Sequence, residues 1–157
     1  MTDFRIGHGY DIHRIRPGSG LVLAGVVVSR ELAAVAHSDG DVAIHAAVDA
    51  ILGAMAAGDI GQHFPDSDPR WSGADSTIFL RRALELAKEA GYRPVNLDLT
   101  ILAERPRLGA CRSEMAARLE SILGCPVNVK AGTHEGCGAI GRGEAVAAHA
   151  VVLLVKA

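Results

Sequence analysis

What this chain has little of narrows its possibilities first. Aromatic residues are 4% of 157 (one Trp, two Tyr, three Phe), so any core must be built from small aliphatic side chains, and alanine is plentiful. Only three cysteines occur, Cys111, Cys125 and Cys137, far apart and without a C-x-x-C pair, which argues against a disulfide framework or a zinc ribbon. Neither sign of charge is in real excess: 16 Lys+Arg face 18 Asp+Glu, a net charge of -2, so there is no basic footprint and no nucleic-acid partner is expected. Long hydrophobic runs are missing as well. The longest, Ala145 to Val155, is interrupted by His149 and is too short to span a bilayer. The opening MTDFRIGHGYDIH has no basic stretch followed by an apolar one. The expectation is a soluble, cytoplasmic protein with no membrane partner.

Several catalytic signatures are absent. There is no G-x-x-x-x-G-K-[ST] for a nucleotide phosphate and no G-x-S-x-G nucleophile elbow. Gly7 and Gly9 form a G-x-G, but no third glycine opens a helix after it, so a dinucleotide-binding reading fails. What is present is 49% hydrophobic content and 18 glycines without a fixed period, which excludes a disordered or collagen-like chain. The length suits a single domain over residues 1–157.

Periodicity predicts strands at Phe4–His13, Leu21–Val28, Val95–Ile101, Pro126–Ala131 and Glu144–Lys156. It predicts helices from Val42 to about Ala57 with Asp41 as N-cap, from Asp75 to Gly91, and from about Ala110 to Gly124, with a loop over Gly61–Gly73. The order β-β-α-α-β-α-β-β points to an α+β two-layer sandwich, a mixed sheet with helices on one face. The last strand is apolar on both faces: Val146, Ala148, Ala150, Val152 and Leu154 alternate with Ala147, Val151, Leu153 and Val155. Either it is a central strand buried within one chain or its second face is covered by another subunit; the expectation is sheets packed together in an oligomer.

Asp11 and His13, two apart on a strand, point to one side, and His45 lies one helical turn after Asp41. One carboxylate and two imidazoles suit zinc with a fourth position open, although D-x-H alone is as often an ordinary strand pair. His37-Ser38-Asp39-Gly40-Asp41 opens a helix whose free N–H groups could meet a phosphate, or it could be nothing more than a well-capped helix. Asp59-Ile60-Gly61 and Phe64-Pro65-Asp66-Ser67-Asp68 form an acidic, glycine-bounded stretch that could equally be a solvated turn. Gly132-Thr133-His134-Glu135 brings a hydroxyl and a carboxylate to a strand end, and Ala103-Glu104-Arg105-Pro106-Arg107-Leu108-Gly109 closes another strand with a polar loop.

Taken together and in order, Gly7–His13, Ala36–Ala43 with His45, Gly58–Gly61, Phe64–Asp68 and Gly141–Glu144 resemble the 2-C-methyl-D-erythritol 2,4-cyclodiphosphate synthase family over nearly the whole chain. The resemblance implies a homotrimer with sites between subunits. It implies conversion of 4-diphosphocytidyl-2-C-methyl-D-erythritol 2-phosphate to the cyclic diphosphate with release of CMP, in the non-mevalonate isoprenoid pathway. It implies zinc on Asp11, His13 and His45, and magnesium or manganese on Glu135 reaching the substrate diphosphate. His37 and Thr133 match transition-state stabilisers. Ser38, Asp59, Ile60, Gly61, Phe64, Pro65, Asp66, Ser67 and Asp68 match the methylerythritol-phosphate side, and Asp11, Ile12, His13 and His37 also match substrate-binding positions. Ala103, Glu104, Arg105, Pro106, Arg107, Leu108, Gly109, Gly132, Thr133, His134 and Glu135 match the cytidine-diphosphate side, with Ala139 and Arg142 as further substrate-binding positions. The chain departs from the common pattern at Gly132, where Thr is frequent, at Ala139, where Phe is, and at His134 and Gly136; Arg142 is kept. A metal-dependent phosphoesterase and a non-catalytic metal- or nucleotide-binding module are the competing readings.

Overall fold

Glycine and alanine set how closely the layers of this molecule approach. The structure, a computed structural model, describes residues 3–157. Seven strands and five helices follow the order β1 (Phe4–Pro17), β2 (Leu21–Leu23), β3 (Val26–Ser29), β4 (Leu32–Ala34), α1 (Val42–Ala54), α2 (Ile60–His63), α3 (Thr77–Glu89), β5 (Tyr92–Leu102), α4 (Arg112–Leu123), β6 (Val127–Gly132), α5 (Gly138–Gly141) and β7 (Ala145–Lys156). Five strands make one mixed sheet in the order β4-β1-β7-β5-β6, antiparallel except for the β5–β6 pair. The parallel pair is joined through α4, as a parallel connection requires. The expected α+β sandwich of a mixed sheet and helices is what forms.

α1 is buried along almost its whole length between the sheet and α3. It can lie so close to β1 because Gly7 and Gly9 face it. A Cβ on Gly7 would stand 1.7 Å from the Ala50 carbonyl oxygen, and one on Gly9 1.9 Å from that of Ala46. The G-x-G is therefore a packing device. Ala46, Ala50 and Ala54, four apart on α1, and Ala148 and Ala150 on β7 continue the same small-residue contact, which accounts for an alanine-rich core.

Three expectations need correction. Leu21–Val28 is not one strand but the β2–β3 hairpin. Ala24 (φ 52°) and Gly25 (φ 73°) make its turn, and a buried carboxylate holds it: Asp41 Oδ1 accepts from Ala24 N at 2.9 Å and Oδ2 from Gly25 N at 2.7 Å. Ala-Gly is a weak turn signal on its own, and the partner that fixes it is 16 residues away. The stretch 61–73 is not an unstructured loop, since α2 and a 3₁₀ turn at Pro69–Trp71 lie in and beside it. Nor are all helices on one face: α5 covers the opposite face at one end, where Ile140 buries Ala145 and Ala147.

Elsewhere that opposite face is bare. Ile6 is 73% exposed, and Tyr10, Ile12 and Val151 are each more than two-fifths exposed, whereas Val152, one residue on, is fully buried against the helices. Among the described residues no helix is long and apolar enough to cross a membrane.

Candidate functional site

The alternation of β1 sends Asp11 and His13 to the helix face, directly beyond Gly7 and Gly9, and the close approach of α1 brings His45 to meet them. Asp11 Oδ2 lies 2.9 Å from His45 Nδ1 and 3.0 Å from His13 Nδ1, and the two rings stand 5.3 Å apart. One ligand atom of each residue fits within a 4.8 Å cluster, and no other three such residues converge among the described ones. Burial works to raise the Asp11 carboxyl, but the two imidazoles overcome it and hold the group well below the usual carboxylate range. Burial likewise pulls His45 down, yet the Asp11 contact, with Asp41 and Asp39 behind it, raises it above its ordinary value. His13 Nδ1 is buried and near Asp11 but out of line for a hydrogen bond, so it has no partner. A buried nitrogen left open beside a carboxylate and a second imidazole fits a divalent metal with N and O ligands.

The surrounding loops are tied down locally. Asp41 caps α1 through Ala43 N and Ile44 N as well as holding the β2–β3 turn; burial pushes its carboxyl up to about 6 against those four donors. Asp49 Oδ1 accepts from Ile60 N at 2.8 Å and Asp59 Oδ1 from Gln62 N at 2.9 Å, which fixes α2 at the rim. The Asp11/His13/His45 cluster opens into a cavity of about 450 Å³ walled by His37, Ser38, Ile60, Gly61, Phe64, Pro65 and Asp66. His37 Nε2 is 3.3 Å from the Asp68 carbonyl oxygen, which can only accept, so that nitrogen carries the hydrogen. Of the residues matched to this side, Asp59 serves as a cap and Asp68 pairs with Arg70, while Ser67 is not in the wall. Ile12 points to the other face of the sheet and borders a separate hollow of about 330 Å³ with Arg14, Ala139 and Glu144. Val35, Ala36, Trp71 and Phe79 also line the metal cavity and were not anticipated. Trp71, Phe79 and Phe64 form one aromatic cluster, with ring centroids 4.6–5.6 Å apart, and clustering of that kind leaves no short sequence motif.

A second cavity of about 470 Å³ is lined by Ala103, Glu104, Arg107, Leu108, Gly109, Gly132 and Thr133, with Ala110, Arg112 and Ala131. Glu104 Oε2 accepts from His134 N at 3.2 Å, and the Thr133 hydroxyl donates to Glu135 Oε1 at 3.1 Å. Arg105, joined to Pro106 by a cis peptide, turns away to the Gly143 carbonyl, and Arg142 is exposed and paired with Glu144. No residue lines both cavities. Within one chain, therefore, Thr133 and Glu135 are not brought to Asp11, His13 and His45.

The chain matches the YgbB family over residues 4–155. It is 52% identical to a 2-C-methyl-D-erythritol 2,4-cyclodiphosphate synthase of Thioalkalivibrio sulfidiphilus over 98% of each chain. The chain belongs to this synthase family. The chloroplastic synthase of Arabidopsis thaliana is 47% identical over 98% of this chain and 68% of its own length. Among solved structures, the IspF–CDP complex of Plasmodium falciparum superposes with a TM-score of 0.86 at 34% identity, over 99% of this chain and 98% of its own. A bifunctional IspDF of Campylobacter jejuni gives a TM-score of 0.96 at 36% identity over this whole chain, which spans 43% of that longer protein. As in those synthases, the chain carries an α+β fold; the Asp11/His13/His45 cluster is its candidate metal centre.

Proposed function

We propose that this synthase closes 4-diphosphocytidyl-2-C-methyl-D-erythritol 2-phosphate into 2-C-methyl-D-erythritol 2,4-cyclodiphosphate in the non-mevalonate pathway, at sites shared between the subunits of a cytoplasmic homotrimer. The observation that carries the reading is the division of the site: a metal cluster with one cavity, a hydroxyl and carboxylate with another, and no residue common to both. A substrate with a phosphorylated polyol at one end and a nucleotide at the other needs two such cavities, and two neighbouring copies supply them side by side. The bare sheet face offers the contact that brings copies together.

In the reaction an oxygen of the 2-phosphate attacks the β-phosphorus, the bond from that phosphorus to the oxygen bridging it to the α-phosphorus breaks, and CMP leaves with that oxygen. No water enters and no protein nucleophile is needed, in keeping with the lack of one, so the task is positioning and charge neutralisation. Zinc on Asp11, His13 and His45, and magnesium or manganese on Glu135, would supply Lewis acidity and positive charge to the substrate's phosphates. His37 and Ser38 line the methylerythritol-phosphate cavity; the Ser38 hydroxyl donates a hydrogen bond to the substrate's anionic end, and the His37 Nε2–H does so on leaving the Asp68 carbonyl oxygen. Thr133, now donating to Glu135, turns its hydroxyl to a phosphoryl oxygen when that carboxylate is engaged. Ala103–Gly109 offers backbone groups to the base, and Arg107 and Arg112 place positive charge at the nucleotide's phosphates. Mass spectrometry of the product tests the reading: cyclisation yields CMP and a diphosphate with no added water, whereas a phosphoesterase adds one water and a binding module leaves the substrate intact.

A further inference from the structure

His45 is held at both ring nitrogens, and which of them carries the hydrogen follows from the far end of a buried chain of contacts. Nδ1 lies 2.9 Å from Asp11 Oδ2, and Nε2 lies 2.9 Å from the hydroxyl oxygen of Ser76. Ser76 is fully buried, and its hydroxyl also meets Asp39 Oδ1. An ionised carboxylate only accepts, so the single hydroxyl proton of Ser76 goes to Asp39. Toward His45 the Ser76 oxygen can then act only as acceptor, and Nε2 must be the N–H. Nδ1 also faces an acceptor, Asp11 Oδ2, so any second ring hydrogen sits there; with Nε2 held as the N–H, Nδ1 is the nitrogen that gives up its hydrogen to a metal ion where Asp11 and His13 converge.

Two further observations show that the contact is more than incidental. Ser76 occupies the N-cap of α3, where a serine usually accepts from its own helix; here it makes no such bond, and Asp75 Oδ1 accepts from Thr77 N instead. Asp39 is itself pinned, with Oδ2 accepting from Ser76 N at 3.0 Å, Oδ1 from Asp41 N at 3.1 Å, and its own N–H donating to the Ala74 carbonyl at 3.0 Å. The hydroxyl of Ser38, 3.3 Å from His45 Nε2, is a longer second contact.

We propose that Ser76 and Asp39 are positioning residues of the metal centre, fixing His45 as the Nε2–H tautomer and holding its ring so that Nδ1 is presented to the metal. The proposal rests on the metal-centre reading above. Carboxylate or hydroxyl partners behind a metal-binding histidine typically change metal affinity 10–100-fold. The test is zinc affinity of the purified full-length protein, measured by competition with a chromophoric chelator, together with the visible spectrum of the cobalt-substituted protein. Ser76→Ala is expected to weaken zinc binding about 10–100-fold and to shift the cobalt bands, with the far-UV circular dichroism of the metal-free protein unchanged. Ser76→Thr, which keeps the hydroxyl, should restore both. Asp39→Asn reads the same relay from its far end, should Ser76→Ala fail to fold. Zinc binding within twofold of the parent and unaltered cobalt bands in Ser76→Ala and Asp39→Asn, alongside zinc loss in His45→Ala, would overturn the positioning role and leave the metal centre standing. Full zinc binding in His45→Ala as well would remove the metal centre, and the relay with it.

Discussion

The two faces of β1 are written in the same stretch of chain and ask opposite things of it. Gly7, Gly9, Asp11 and His13 turn inward; Ile6, His8, Tyr10 and Ile12 turn outward. Inward the residues are small, then polar, because a helix backbone must arrive within van der Waals contact before His45 can join Asp11 and His13. Outward they are large and uncovered, matched across the sheet by Leu153 and Val151. One face is covered by the chain's own helices, and most of the other is left bare. Fully covering a large aliphatic or aromatic side chain contributes about 1.5–3 kcal/mol, so covering Ile6, Tyr10, Ile12 and Val151 is worth several kcal/mol per subunit, comparable with the stability of a domain.

The sharpest way to break that comparison is a charge on either side of β7. Val152→Asp buries an unpaired carboxylate under α1 and should cost about 3–5 kcal/mol, enough to leave little folded protein. Val151→Asp, one residue earlier and 42% exposed, should leave the chain's own core intact but cost it its partners, giving aggregation or loss of soluble protein. Light scattering at micromolar concentration distinguishes the two. A well-folded, active species of about 16.4 kDa from Val151→Asp would show the outer face to be no interface.

A smaller effect is expected at Gly9. Its Cβ would meet backbone, which cannot swing aside, so Gly9→Ala must push α1 from the sheet, at roughly 1–3 kcal/mol or somewhat more. Because His45 rides on α1, the displacement should show twice: as a lower melting temperature and as reduced zinc content. A variant that melts early but binds zinc normally would separate packing from the site.

How much of this could be read beforehand depended on how local the cause was. Asp11 and His13 share a face by strand alternation, and Asp41 is an ordinary N-cap, so both are open to inspection. The Gly7–Gly9 pair was visible, but its purpose was not, since nothing nearby in sequence names the helix that presses on it. The β2–β3 turn, the burial of Asp41 and the anchoring of Asp39 depend on contacts 16 to 37 residues apart. Both aspartates look like charges waiting for cations, yet in the fold both are consumed by the chain's own N–H and hydroxyl donors.

Replacing a residue of the Asp11/His13/His45 cluster should disturb stability less than any of these: Asp11 and His13 are partly open to solvent, and His45, though buried, lines the cavity and lies outside the apolar core. His45→Ala and Asp11→Asn are expected to lose zinc and activity while keeping the fold, with metal analysis of the purified variants and circular dichroism as the two readings. Full zinc occupancy in either variant would sink the ligand assignment.

The mildest change expected is Glu135→Gln. Glu135 lies in the second cavity's loop, exposed, at φ 51°, and accepts from the Thr133 hydroxyl at 3.1 Å. Glutamine keeps the size, and its carbonyl oxygen still accepts from Thr133, so neither the loop nor the Asp11/His13/His45 cluster has reason to move. What goes is one negative charge at the place where a magnesium or manganese ion would be shared between the protein and substrate phosphates. Such an ion is usually held by only one or two protein carboxylates, so removing this one should raise the magnesium concentration needed for half-maximal activity by about tenfold, with zinc content unaltered. Titrating activity with magnesium at fixed zinc reads it directly. An unchanged midpoint would return Glu135 to the role of a turn residue and leave the substrate's own phosphates as the only ligands on that side.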